Sequence, residues 1–314
     1  MRITSRKGHR PRSNMRAGKV GLLVGNYVTV DTRMILVTGA TGNVGSELVK
    51  QLVDGGHDVR AYIRNPDKAA QLPDAAEIAI GDLDDTAALH KASEGVDVVF
   101  FMQAAPLPAQ AQNVVDAAKA GGVNRIVVLS SIGTVIHPRP IIGEMINTRD
   151  VVLRDSGIAI TYLRPNTLSS NALWWKNSID SEGKVYDPTD PGLTSPIGPY
   201  DIARVAATVL TKSGREGHGY ILNGPEALSA KEQVEILADV LGRDIEFVSV
   251  TPEQFAEVNI ERGTPESQAR GLQNLHELFR AGRSGVLADD VQNLTGSAPR
   301  TFRQWCEEHR VDFN

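Results

Sequence analysis

Short apolar runs recur along this chain at fairly even intervals, and helical stretches separate them. That alternation constrains the fold more than any other feature. The runs are "MILVT" (34–38), "DVRAYI" (58–63), "AEIAI" (76–80), "DVVFFM" (97–102), "RIVVLS" (125–130) and "AITYL" (159–163). In "NVGSELVKQLVDGG" (43–56), Val44, Leu48 and Leu52 fall at i, i+4 and i+8, and Gly55-Gly56 end the helix. Further helices are expected over 84–93, with Asp82 or Asp84 as cap, over 109–120, and in "IGEMINTRDVVLRDSG" (142–157). Strand–helix–strand units with short links give right-handed crossovers and a parallel sheet. The strands read as continuous apolar runs, so both faces are covered. The expected fold is α/β, a doubly wound parallel sheet.

After Arg164-Pro165 the pattern loosens. Residues 166–198 hold Trp174-Trp175 and several prolines, and "PYDIARVAATVL" (199–210) returns to a clean helix. "GYILNG" (219–224) reads as a strand, "SAKEQVEILADVLG" (229–242) as a helix and "IEFVSV" (245–250) as a strand, with helical stretches to about residue 309. The expected division is a main domain over 34–165, completed by about 199–225, and a smaller C-terminal α/β lobe from 166–198 and 226–314.

Residues 1–33 hold eight Lys or Arg against Asp31 alone, a charge of +7 in a chain of net charge −5, which leaves −12 on the body. An acidic body argues against nucleic acid as a partner. The basic segment lacks a clear signal-peptide core and cleavage site; a transit peptide would fit its Arg-rich, acid-poor composition. The expectation is a disordered extension, or a start assigned too early, since Met34 opens the first strand. A single cysteine, Cys306, permits no internal disulfide and fits a reducing, cytoplasmic setting. No apolar run reaches the roughly 18 residues of a membrane span.

The sharpest local signal is "VTGATGNVG" (37–45), in which Gly39, Gly42 and Gly45 link the first strand to the first helix. One glycine serves the tight turn, the next lets a diphosphate approach, and the third lets the helix pack closely. The free N–H groups at the helix start attract the anion. The second strand ends in "YIRNPDK", where an acid would bind a ribose 2′-hydroxyl; Arg64 stands there instead and favours a 2′-phosphate, unless it is merely solvated. Asp82 and Leu83 follow the third strand, where an adenine would lie, though Asp82 could be only a helix cap. Met102-Gln103 end the fourth strand and Ser130-Ser131 the fifth, and all face one crevice.

The ordered set "TGATGNVG", "RNPDK", "GDLDD", "VVLSS", "SGIAITYLRPN", "GPYDIA" and "LNGPEALS" resembles the short-chain dehydrogenase/reductase superfamily in its atypical, NmrA-like branch, over roughly residues 34–310. The resemblance implies a Rossmann-like domain binding NAD(P), with NADP favoured through Arg64, and a small lobe closing a cleft over the nicotinamide. It places Gly39, Thr41, Gly42, Asn43 and Val44 at the diphosphate, Asp82-Leu83 at the adenine, Met102-Gln103 at the ribose and Pro165-Asn166 near the nicotinamide. Ser130 lines the same crevice, and Ser131 matches the family's active-site serine.

Catalytic members carry Tyr-x-x-x-Lys on the helix of 142–157. Here Ile146 and Asp150 stand in those places, with no Lys between Lys119 and Lys176 and no Tyr between Tyr62 and Tyr162. That helix offers Glu144 and Asp150, poor acids unless burial raises their pKa. His137, in the preceding loop, titrates in the right range but is more simply solvated. Trp174-Trp175 would line an aromatic substrate cleft or pack the lobe, and Asn166 and Asn171 would face that cleft. Two functions follow: an NAD(P)H-dependent oxidoreductase acting on a small acceptor such as a quinone, or a non-catalytic dinucleotide sensor acting through a protein partner.

Overall fold

The structure is a computed structural model that describes residues 33–314; apart from Arg33, the basic segment lies outside the described residues. The chain opens with β1 (Met34–Thr38), α1 (Asn43–Asp54), β2 (Asp58–Ile63), β3 (Glu77–Ile80), α2 (Thr86–Ser93), β4 (Val98–Phe101) and α3 (Pro108–Ala120). It continues through β5 (Arg125–Leu129), α4 (Ile141–Arg154), β6 (Ala159–Pro165), α5 (Lys176–Glu182), β7 (Lys184–Asp187) and β8 (Leu193–Thr194). Then come α6 (Pro199–Thr211), β9 (Gly219–Leu222), β10 (Leu228–Ser229), α7 (Ala230–Leu241), β11 (Glu246–Ser249), α8 (Pro252–Glu261), α9 (Glu266–Arg280), α10 (Asp290–Thr295) and α11 (Phe302–Glu308). The expected helix over 84–93 starts at Thr86, and its cap is neither Asp82 nor Asp84: the Asp85 side chain accepts from the Ala88 N–H. Asp82 instead closes a local turn by accepting from the Asp84 N–H at 3.0 Å.

Seven strands form one sheet in the order β3-β2-β1-β4-β5-β6-β9, and every pairing is parallel. The Rossmann-like doubly wound fold is thus present. Strand side chains alternate between the two faces. Ile35, Val37, Val98 and Phe100 pack beneath α1 and α6, while Leu36, Val99, Phe101, Ile126 and Val128 pack against residues of α2, α3 and α4. Both faces being covered explains why the strands read as unbroken apolar runs.

Beyond the sheet, β11 pairs with β7 and β10 with β8. Val234 and Leu237 of α7, Phe302 and Trp305 of α11, and Ile179 of α5 build a separate core there. Helix α7 has a full capping box: Ser229 accepts from the Glu232 N–H, and Glu232 accepts from the Ser229 N–H. Helix α10 instead packs against the main sheet through Val291 and Leu294, and Asp290 accepts from the Ile221 N–H of β9 at 2.8 Å.

His276 of α9 sits edge-on to Phe255, with ring centroids 5.3 Å apart. Burial lowers its pKa from 6.5 to about 4. Its neutral form is the one the fold holds, so its stabilising contribution is complete above pH 6.5. Below that pH the unfolded chain takes a proton that the fold refuses, and stability falls until pH reaches about 4. At about 1.4 kcal/mol per pH unit, the loss is about 3 kcal/mol. His276→Phe is expected to flatten this acid limb, read as urea midpoints at several pH values across that window. An unchanged acid limb in the variant would refute the assignment.

Candidate active site

The loop between β1 and α1 supplies the anion-binding end. Gly39 has φ +63, which favours glycine. The Gly42 N–H donates to the Gly39 carbonyl at 3.0 Å and closes the turn. Gly42 caps α1 without a side-chain hydrogen bond, and the first turn holds no acid. Its leading N–H groups are therefore available to an anion. Thr38, whose hydroxyl accepts from the Met102 N–H at 2.9 Å and donates to the Met102 carbonyl at 2.8 Å, ties the ends of β1 and β4 at the switch point of the sheet. The Met102 side chain lies over the loop, so that a Cβ on Gly39 would meet its Cγ at 3.3 Å. Asn43 donates to the Ser170 hydroxyl at 3.4 Å and joins the loop to the turn after β6; Thr41 is half-buried in the loop and Val44 is buried.

Arg64, at the end of β2, has a side chain 80% exposed, and its ion pair with Asp82 is loose at 3.7 Å. Leu83, next to Asp82, has its carbonyl held by the Asn113 amide at 2.9 Å. Tyr62 donates to the Asp82 carbonyl at 2.8 Å; burial, then Asp85 and Asp82, push its pKa up to about 12. At the end of β4, Gln103 donates through its amide nitrogen to the Ala105 and Leu107 carbonyls. Its Oε1 is buried with no donor among the described residues. An acceptor left open at a crevice suits a ligand hydroxyl or amine.

Ser131 follows β5 and accepts from the Gly133 N–H at 3.1 Å. Ser130 points elsewhere: its hydroxyl donates to Asp150 Oδ2 at 2.5 Å, inside the fold. Arg149 Nη2 donates to Asp150 Oδ1 at 2.5 Å, and Arg149 also donates to the Leu129 carbonyl. Arg149 and Asp150 are both buried. At Asp150, where the sequence resemblance leads one to expect a lysine, a buried Ser–Asp–Arg network pins α4 to the end of β5. Glu144 is exposed, and its hydrogen bond with Arg139 holds its pKa below the carboxylate norm, so at neutral pH it stays ionised and has no proton to donate. His137 is exposed in its loop.

The lobe side corrects two expectations. Asn166 does not face the cleft. Its side chain is buried, donating to the Ser284 carbonyl at 2.7 Å and accepting from the Ser284 hydroxyl and the Thr167 N–H, so it fastens the end of β6 to the 284 segment. The adjacent Pro165 is buried too. The two tryptophans split: Trp175 packs against the lobe core, and Trp174 is 75% exposed. Ile132, Ile136 and Phe279 form an apolar wall between the loop after β5 and α9. A cavity of about 760 Å³ opens on the far side of Asn43, lined among others by Lys50, Ser170, Tyr200, Arg300 and Trp305. It borders the start of α1 but not the strand ends, so we place the candidate chemistry in the strand-end crevice, where open α/β sheets bind ligands.

In order across the sheet, Asp82, Arg64, the glycine loop, Met102-Gln103, Ser131 and Asn166 all follow the carboxyl ends of neighbouring strands. Residues 39–213, which contain this whole row, match the family model described as NAD(P)H-binding. The chain belongs to the NAD(P)H-binding family. In fold it also resembles the solved structure of NmrA, with a TM-score of 0.72 at 19% identity, over 88% of this chain and 95% of that one. This NAD(P)H-binding chain is 36% identical over 284 residues to (4-alkanoyl-5-oxo-2,5-dihydrofuran-3-yl)methyl phosphate reductase of Streptomyces griseus, covering 89% of this chain and 99% of the other. It is 34% identical over 285 residues to the NAD(P)H azoreductase of Xenophilus azovorans, again 89% and 99%. An NADPH-dependent quinone oxidoreductase from Escherichia coli, solved in complex with NADPH, superposes with a TM-score of 0.78 at 26% identity, over 88% of this chain and 99% of that one.

For an NAD(P)H-binding chain the loop chemistry fits: an uncapped helix start free of acids, a glycine at positive φ, and an open acceptor on Gln103. Several supporting residues have no local signal. Thr38 is one threonine in an apolar strand, and Ser284 lies 118 residues from the Asn166 that it holds.

Proposed function

We propose that this chain is an NADPH-dependent reductase that acts on a small conjugated acceptor, such as a quinone, without a Tyr–Lys proton relay. The observation that carries the reading is the pairing of a complete dinucleotide crevice with an α4 whose Lys position is an ion-paired aspartate. When bound, the cofactor supplies a hydride. The chain's own residues then do three things. The loop from Gly39 to Val44 and the start of α1 hold the diphosphate, with Thr41 and Asn43 on its rim. Arg64 takes the 2′-phosphate, and Asp82-Leu83, Met102 and Gln103 fix the adenosine and ribose. Ser131, on a strand end pinned through Ser130 to Asp150, orients the acceptor oxygen, and the apolar wall of Ile132, Ile136 and Phe279 excludes water from one side.

The acceptor class follows from what is missing. An acceptor that becomes a delocalised anion takes its proton from water and needs no strong acid on α4. His137 is a candidate donor for less stabilised acceptors. The reductase, azoreductase and quinone oxidoreductase named above support the class. A second reading, a dinucleotide sensor acting through a protein partner, is favoured by the same absence of a donor on α4. Cofactor oxidation across a panel of quinones and conjugated carbonyls separates the two: no turnover with any acceptor, despite tight NADPH binding, would sink the reductase.

Arg64→Ala is expected to weaken NADPH binding by about tenfold or more, the scale of one charge-assisted hydrogen bond. NADH binding should change less than about twofold, since only the 2′-phosphate is lost. Equal losses for both cofactors in fluorescence titrations would refute the assignment.

A further inference from the structure

Strand β6 carries a second cationic group beside α4. Tyr162 and Arg164 stand two residues apart, on one face of β6. With Thr134, Asn147, Asp150 and Arg154 they line a cavity of about 110 Å³ beside α4. The Arg164 guanidinium lies over the Tyr162 ring, 5.1 Å from its centroid. It fits against β9 because Gly219 has no side chain: a Cβ there would fall 1.8 Å from Arg164 Nη1.

Among the described residues Arg164 makes no side-chain hydrogen bond or ion pair, and its Nε is buried without a partner. Asp150 faces the same cavity, but both its oxygens are engaged, Oδ1 by Arg149 and Oδ2 by Ser130. Arg154 contributes a second guanidinium from α4; its Nε bonds Asp155 at 2.9 Å. The Tyr162 hydroxyl donates to the Asp150 carbonyl at 3.2 Å, and the Thr134 hydroxyl to the Ser131 carbonyl at 2.8 Å. The cavity therefore faces Arg164, which has no anionic partner among the described residues, Arg154, which is paired with Asp155, and Asp150, which is paired with Arg149. A half-buried, unpaired cation is costly, and an anion between two guanidinium groups removes the cost.

We propose that this cavity binds one small tetrahedral oxyanion, of the size of free phosphate or sulfate, between Arg164 of β6 and Arg154 of α4. The volume equals about three or four waters, enough for one such oxyanion. The site is separate from the diphosphate loop, no residue of which lines it.

The test is calorimetric titration of the full chain with inorganic phosphate at constant ionic strength, with and without saturating NADPH. The expected result is one phosphate per chain with NADPH bound, because the cofactor occupies the diphosphate loop and leaves this cavity open. Arg154→Gln should weaken it by about tenfold, and Arg164→Gln should abolish it. Arg154 is 63% exposed, so its variant keeps the test intact if Arg164→Gln does not fold. No binding, binding that NADPH abolishes, or binding that Arg154→Gln leaves unchanged would each overturn the proposal.

Discussion

Gly45→Ala is expected to abolish tight cofactor binding and to destabilise the fold together. A Cβ at this position would lie 2.1 Å from the Gly39 carbonyl oxygen, 2.8 Å from its carbon and 3.0 Å from the Ala40 Cα. All three are backbone atoms, so no rotamer change relieves the clash. Helix α1 must lift from the loop or the loop must turn, and either motion misdirects the N–H groups that face the anion. The expected cost is about 3 kcal/mol of stability, the upper range for overpacking, with NADPH affinity lowered by about a hundredfold or more. Urea unfolding and a fluorescence titration read the two effects. An alanine variant with wild-type affinity would show that the helix does not need this close approach.

The second large effect concerns Asp150, and it runs against a natural engineering idea. Introducing a Tyr–Lys pair through Ile146→Tyr and Asp150→Lys should not create a proton relay. Asp150 is the counter-ion of a buried arginine, and a lysine there would set an ammonium against Arg149 while removing the acceptor of the Ser130 hydroxyl. Leaving one partner of a buried pair uncompensated costs about 3–5 kcal/mol, and the added like charge raises that. Asp150→Lys alone is therefore expected to shift the urea midpoint strongly downwards and to yield little folded protein. Asp150→Asn, which keeps an acceptor for Ser130, should lose less. A Lys variant as stable as the wild type would mean that the network carries no structural weight.

These residues also mark how far the sequence could be read. The strands and helices of the sheet were legible because each unit buries a pattern written in its own residues, and the row of strand ends follows once the sheet is parallel. The cap of α2 was not, because "DLDD" offers several acids and only the turn made by Asp82 decides that Asp85 serves. Asn166 looked free at a strand end, yet Ser284 claims it from far along the chain. Trp174 and Trp175 are neighbours in a 3₁₀ turn, where successive side chains point about 120° apart, so one enters the lobe core and the other faces solvent. Nothing in the sequence around Ile146 and Asp150 shows that Asp150 is buried and paired with Arg149, because adjacent charges on a helix are as readily solvated as paired.

Strand β9 pairs with β6 only after the chain has passed through β7, β8 and α6. During synthesis, the six earlier strands emerge while the outer edge of β6 still has open backbone groups. Such an edge can pair with the same edge on another nascent chain. Closing it requires a long intervening loop to be organised first, a slow step of high contact order. A fragment ending at Pro165 would keep that edge permanently, so the minimal unit able to stay monomeric in expression trials should extend through Leu222, and through Asp290, whose carboxylate accepts from the Ile221 N–H of the last strand.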